Sequence, residues 1–208
     1  MTEKNELLRV ECFSDAVFAI AATLLVLEIK VPSLAGGLSF AQVWKEIGSL
    51  WPSYMAFLLS FGTILVIWVN HHFTVQLLHK ISRSFLYANG LLLLTITFFP
   101  YPTAMLAKYI DTPYASEGVV FYSLACLLIN LAFLIWWLAM RKPVYLIRPE
   151  ISKAQIKKIL TQLLSGLCIY ICTTVISFWF ATIGIVVIIV LNILWITMSI
   201  LERKVEKA

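Results

Sequence analysis

Six apolar stretches, at roughly 9–30, 53–79, 84–107, 117–140, 159–180 and 183–201, leave this chain few ways to fold. Each is long enough to cross a bilayer as a helix, which takes about 20 residues. With 61% of 208 residues apolar and only 13% charged, the composition excludes a soluble domain. The fifth and sixth stretches are divided at the turn Ala181-Thr182-Ile183-Gly184, because 159–201 without a break is twice the length a span needs. The connections are short and leave no room for a soluble unit. The sequence predicts an all-α integral membrane protein, a single domain over 1–208 with six transmembrane helices.

A net charge of +5 raises the question of nucleic acid, but the placement of the charge answers it. With the N-terminus inside, the cytoplasmic flanks receive Lys4, Arg9, Lys80, Arg83, Arg141, Lys142, Arg148, Lys153, Lys157, Lys158, Arg203, Lys204 and Lys207. The other side receives Lys30, Lys45 and Lys108. That asymmetry places both termini in the cytoplasm of a multi-pass cell-membrane protein. Its partner is the lipid bilayer, not nucleic acid, and the basic segment 141–158, with Pro143 and Pro149, lies along the anionic cytoplasmic leaflet. A signal peptide is suggested by Lys4, Arg9 and the small residues of Ser33-Leu34-Ala35-Gly36, but Asp15 and Glu28 within and after the apolar run argue for a retained span.

Punctuation residues add detail. Ser39 with Gln42 has the spacing of a capping box, followed by Phe40, Val43, Trp44 and Ile47 on one face. A short amphipathic helix at about 39–48 lies in the outer interface. Pro52 suits the first turn of the second span, and Pro100 and Pro102 distort or end the third. Cys12, Cys126, Cys168 and Cys172 all fall in or beside apolar runs and read as packing residues, with no disulfide framework.

Polar groups inside the spans are costly unless satisfied, and they fall at matching depths. Asp15 lies about 9 Å along the helix from Arg9, His71 and His72 about 12 Å from an inner end at His79, and Asn89 about 9 Å from Arg83, at 1.5 Å per residue. Hydrogen bonds among them, joined by the indole of Trp68, remove the cost of leaving each unpaired. Six positions apart, Arg9 and Asp15 point to different sides of one helix, so each needs a partner on another span or subunit. Three readings stay open: a structural clamp, a proton path through Asp15 and the histidines, or a metal site at His71-His72. Adjacent helical positions diverge by about 100°, which disfavours two ligands for one ion.

Higher on the first span, Ile20, Leu24 and Leu27 form a stripe bordered by Thr23, with Ile20 about 16 Å from Arg9, near the bilayer midplane. By spacing alone such a stripe is usually a lipid-facing or packing surface; the alternative is a hydrophobic constriction that gates by dewetting. The chain has no Thr-Val-Gly-Tyr-Gly filter, so a channel built from it needs another selectivity device.

The run Arg9-x-x-x-Phe13-Ser14-Asp15, continuing Ala16-Val17-Phe18-Ala19-Ile20-Ala21-Ala22-Thr23-Leu24-Leu25, resembles the signature of the lysosomal potassium channel family, transmembrane protein 175 and its prokaryotic relatives. Trp68-Val69-Asn70-His71-His72, Asn89 and Phe99-Pro100 extend the likeness over three spans, and six spans match one prokaryotic repeat. The resemblance implies a homotetramer with four copies of the first span around a potassium pore. It places Ile20, Leu24 and Leu27 at the constriction and Thr23 beside it, near transient potassium, as the residue linked to potassium preference. It assigns Arg9, Phe13, Ser14, Asp15, Trp68 and His71 to the network that holds the pore helix; depth counting adds His72 and Asn89.

The expected function is passive, potassium-selective conduction by a prokaryotic cell-membrane channel that is no enzyme and needs no cofactor or resident metal. The rivals are a proton channel or proton-coupled transporter using Asp15, His71 and His72, an intramembrane enzyme seeded by the two histidines, and a non-conducting scaffold.

Overall fold

A computed structural model describes residues 3–32, 39–141 and 146–205. Ser33–Gly36, Lys142, Pro143 and Lys207, each used in the reading above, lie outside the described residues. The described chain is helical apart from turns and one isolated bridge. In hydrocarbon a backbone has no water to bond, so runs this apolar close their hydrogen bonds within helices. The elements are α1 (Glu3–Leu24), α2 (Phe40–Ser49), α3 (Trp51–Val75), α4 (Arg83–Phe98), α5 (Pro100–Tyr109), α6 (Ala115–Arg141), α7 (Lys153–Ser177) and α8 (Ala181–Val205). Six segments are long and apolar enough to cross a membrane, with α4 and α5 together forming one of them.

Local chemistry sets the boundaries. Helix α1 starts at Glu3, outside the apolar run, and its last turn tightens into a 3₁₀ helix, Leu25–Glu28. At α2, the Ser39 hydroxyl accepts from the Gln42 amide while Gln42 Oε1 accepts from the Ser39 amide, a complete capping box. Pro52 occupies the first turn of α3, where its missing N–H has no intrahelical partner to lose. Pro100 cannot donate to Ile96, so the α4–α5 span bends there; Phe99 N makes the shorter-range bond to Ile96 O at 3.1 Å and helix resumes. The prolines distort this span without ending it. Ser152 caps α7 by accepting from the Gln155 amide, which moves the helix start to Lys153 from the expected 159.

The expected inner end of the second span at His79 needs correction. Helix α3 ends at Val75, and the following residues pair with the segment after α6. Leu78 and Ile147 form an antiparallel bridge, with His79 N donating to Leu146 O at 3.0 Å and Arg148 N to Leu77 O at 2.8 Å. His71 is therefore about 6 Å from the helix end, not about 12 Å. Long-range pairing replaces the last turn that apolarity alone suggested.

Helix α6 forms the centre, packing against α4, α5, α7 and α8. Trp136, Trp137, Tyr122 and Met140 on it are fully buried, together with Phe85, Leu92 and Ile96 of α4. The α7–α8 turn falls at Phe178–Phe180, three residues before the expected place, and Gly184 belongs to α8. A Cβ on Gly184 would collide with the Ser177 side chain and lie 3.0 Å from Val119 Cγ1, so only glycine lets α8 approach α7 and α6 this closely. Helix α1 lies at the edge of the bundle, packed on α3 and α4.

Candidate functional site

From Ala16 onward α1 is apolar nearly all round, yet its two faces meet different surroundings. Val10, Ser14, Phe18, Ala21 and Leu25, at spacings of three and four, are buried against the bundle. The opposite face carries Phe13 (62% exposed), Ile20 (58%), Leu24 (40%) and Leu27 (60%), with Arg9 and Thr23 also exposed. Exposures this large on one side of a span leave its outer face free to meet lipid or another copy of the chain.

Three hydrogen bonds fasten the buried face and fix one another's direction. The Ser14 hydroxyl donates to Val10 O at 2.9 Å, so its oxygen is free to accept Asn89 Nδ2–H at 3.0 Å. Asn89 Oδ1 then faces His71 Nε2 at 2.9 Å, and that nitrogen must carry the proton. Nδ1 of His71 has no partner among the described residues. The ring is held instead by stacking on Trp136 (centroids 4.7 Å apart) and a tilted contact with Phe18 (5.4 Å). Ser14, Asn89 and His71 are all buried, so α1, α3 and α4 share a fully internal polar contact.

A second ladder runs along the half-buried side of the α1–α3 contact. Trp68 Nε1 donates to Asp15 Oδ1 at 2.8 Å. One turn away, His72 Nδ1 lies 3.1 Å from Glu11 Oε1, within ion-pair range though not aligned as a hydrogen bond. His72 Nε2 lies 3.0 Å from the Gln76 side-chain nitrogen. The antiparallel order is plain: Glu11 and Asp15, four apart on α1, meet His72 and Trp68, four apart on α3. Trp68 and His72 also stack, with centroids 5.8 Å apart.

Of the network residues expected from sequence, the structure brings together Ser14, Asp15, Trp68, His71, His72 and Asn89. It does not bring in Arg9 or Phe13. Both point away from the bundle, and Arg9 has no hydrogen bond or ion pair among the described residues. Glu11 and Gln76 went unnoticed; the i, i+4 spacings Glu11/Asp15 and Trp68/His72/Gln76 were the available signal. Also missed was a polar cluster nearer the α2 end of α3, where Thr103 Oγ1 donates to Ser60 Oγ at 2.7 Å and Ser60 lies 3.0 Å from the Tyr122 hydroxyl. Thr63 donates to Asn192 Oδ1 at 3.1 Å in the same region. Hydroxyls in apolar runs are too common to single these out by sequence.

Thr23 Oγ1 donates to the carbonyls of Ala19 (3.0 Å) and Ile20 (2.9 Å). With its proton directed into the helix, the hydroxyl turns lone pairs outward, where they can accept from water or face a cation. Among the described residues no three His, Cys, Asp or Glu side chains gather as metal ligands. His71 and His72 accordingly point to different partners, Asn89 and Glu11.

The chain is similar to known channel proteins. The family model described as "Endosomal/lysosomal potassium channel TMEM175" matches residues 9–100. A Chamaesiphon minutus protein named as a potassium channel is 40% identical over 182 residues, covering 85% of this chain and 86% of its own. A Streptomyces collinus protein, also named as a potassium channel, is 44% identical over 135 residues, 64% of each chain. The crystal structure of a lysosomal potassium-selective channel TMEM175 homolog from Chamaesiphon minutus superimposes with a TM-score of 0.84 at 38% identity, covering 94% of this chain and 98% of that one.

Proposed function

The chain belongs to the TMEM175 family of potassium channels, and on that basis we propose that it is a potassium-selective cation channel whose pore is lined by four copies of α1. The carrying observation is the two-faced environment of α1: a face fastened by Ser14, Asp15 and Val10, and an opposite face on which Ile20, Leu24 and Leu27 stand exposed. One subunit cannot enclose a pore with one stripe. A fourfold axis turns each exposed residue into a ring.

Rings of Ile20, Leu24 and Leu27 make a constriction that dewets when narrow and conducts when it widens. Thr23 adjoins it, and its outward lone pairs replace part of the hydration shell of a passing potassium ion. Arg9 and Phe13, exposed on the same face, meet neighbouring subunits or lipid headgroups. The fastened polar ladder sets the angle at which α1 presents the constriction. Both termini are cytoplasmic, from the bias of lysine and arginine across the spans.

Planar-bilayer recording under a potassium/sodium gradient tests this reading. Ile20→Asn should raise the current and loosen potassium preference; unchanged conductance and selectivity would sink the pore assignment. A proton path is the second reading, favoured by the proximity of Asp15, Glu11 and His72. It predicts a reversal potential that follows a pH gradient and is lost in Asp15→Asn.

A further inference from the structure

Away from α1, a partly open cavity of about 890 Å³ lies between α3, α6, α7 and α8. Ligand pockets commonly run to roughly 300–1,000 Å³, so this is a large one. Helix α7 packs on α6 and α8, and α3 packs on α8, while α3 and α7 share no extensive packing. The space between those two helices is where the cavity lies. Arg148, Gln155 and Lys158 stand at one end of it, and Tyr170 and Asn192 at the other.

From Lys158 to Tyr170 is a climb of about 18 Å along α7 at 1.5 Å per residue. That is close to the hydrocarbon depth of one leaflet, about 15 Å as half of a ~30 Å core. The cavity therefore starts at headgroup level on the basic side and stops near the bilayer centre.

Its walls suit an apolar guest. Val66, Ile67, Ile129, Phe133, Ile159 and Leu163 line it. The polar side chains among them are largely committed to the protein: Thr63 to Asn192, Asn70 Nδ2 to Val66 O, Thr74 to Asn70 O and Asn192 Nδ2 to Ile188 O. Asn130 Oδ1 is buried without a partner among the described residues, and the Gln76 and Gln155 side chains lie towards the Arg148 end. A polar metabolite would find little to bond there. At the mouth the chemistry reverses, because Arg148 and Lys158 are joined nearby by Lys153 and Lys157 in the first turns of α7. Arg148 uses Nε on Leu78 O at 3.1 Å, which holds the guanidinium in place and leaves its other nitrogens for an anion.

We propose that this cavity holds one acyl chain of an anionic phospholipid, with the lipid phosphate at Arg148 and Lys158. The leaflet is the cytoplasmic one on the orientation proposed above. No residue of α1 lines the cavity among the described residues, so the lipid site and the pore are separate. Bound there, the lipid fills the gap between α3 and α7 and braces the helix whose other face holds α1.

Trp195 lines the cavity and provides the readout. The full chain is placed in phosphatidylcholine nanodiscs doped with bromine-labelled phosphatidylglycerol or bromine-labelled phosphatidylcholine. The Trp195 contribution is the difference in quenching between the chain and Trp195→Phe. The anionic lipid should quench this contribution at lower content, with Lys158→Gln reducing the preference about fivefold, the effect of one basic residue at an anionic surface. Ala154→Phe, a bulky substitution on the lining, should reduce quenching by both lipids. Equal quenching by the two lipids in the unaltered chain, or a preference that survives both variants, overturns the proposal. Loss of the preference on adding glycerol phosphate also overturns it, by assigning the mouth to a soluble anion. None of these readouts uses conduction, so failure here leaves the pore reading standing, and an unaltered Ile20→Asn current leaves the lipid site standing.

Discussion

Asn89 is the residue on which the fastening of α1 turns, because it joins two other helices through one side chain. It donates to Ser14 on α1 and accepts from His71 on α3. Removing it leaves a buried imidazole N–H unpaired and a serine oxygen without its donor, whereas removing Ser14 leaves one amide hydrogen unpaired. Unsatisfied buried groups cost about 1–3 kcal/mol each in water-soluble proteins, and hydrogen bonds between membrane helices are worth about 0.6 kcal/mol on average. Asn89→Ala should therefore lower thermal stability in lipid by about 1–3 kcal/mol and Ser14→Ala by less. The double variant should cost less than the sum, as a double-mutant cycle on unfolding in nanodiscs would read; strict additivity would mean that the two do not interact. Asp15 poses a related question. Its carboxylate accepts the Trp68 indole N–H, a role an asparagine oxygen can also fill. Asp15→Asn should retain most of the stability that Asp15→Leu loses, measured by the same unfolding assay. The sequence makes Asp15, His71 and Asn89 legible as a layer by counting rises along helices. It does not show that His72 faces Glu11 while His71 faces Asn89, since that depends on how α1 and α3 are rotated against each other.

At the level of elements, two contacts depend on what side chains leave out. Gly184 allows α8 to lie against Ser177 and Val119, and no larger residue fits without displacement. Alanine there gains helix propensity of about 1 kcal/mol over glycine, but overpacking commonly costs about 1–3 kcal/mol, and the Ser177 collision puts this site at the unfavourable end. Gly184→Ala should lower the thermal midpoint, and adding Ser177→Ala should recover part of the loss. A rise in midpoint for the single variant would show that the α7–α8 contact is looser than described. Pro100 acts in the opposite sense, as a residue whose missing donor bends a span. The helices, the cap at Ser39 and the proline bend follow from short-range chemistry, which is why sequence reading approached them; the equally local cap at Ser152 was not read. The end of α3 does not, because Leu77 and His79 bond to residues about 70 positions away.

For the whole molecule, the proposed tetramer makes a geometric demand that one subunit cannot meet. If four α1 helices surround the pore, Leu24 of one copy faces Leu24 of the others, while Leu128 on α6, also exposed, faces lipid. In a background where Cys12, Cys168 and Cys172 are replaced by serine, Leu24→Cys should form subunit-linked dimers under mild oxidation and Leu128→Cys should not. Band patterns on non-reducing gels decide it. Linking through Leu128 in preference to Leu24 would place a different helix at the symmetry axis.

Taken by itself, the sequence determined that the chain crosses a membrane six times and which family signature its first span carries. Hydropathy and backbone desolvation act over a single segment, so their outcome is written locally. Tertiary structure decided which face of α1 is buried. From Ala16 onward the span is apolar nearly all round, so that part has no polar side to say which way it turns. Only the opposed partners Asn89, Trp68 and His72, supplied by α4 and α3, fix that rotation and leave Ile20, Leu24 and Leu27 outward.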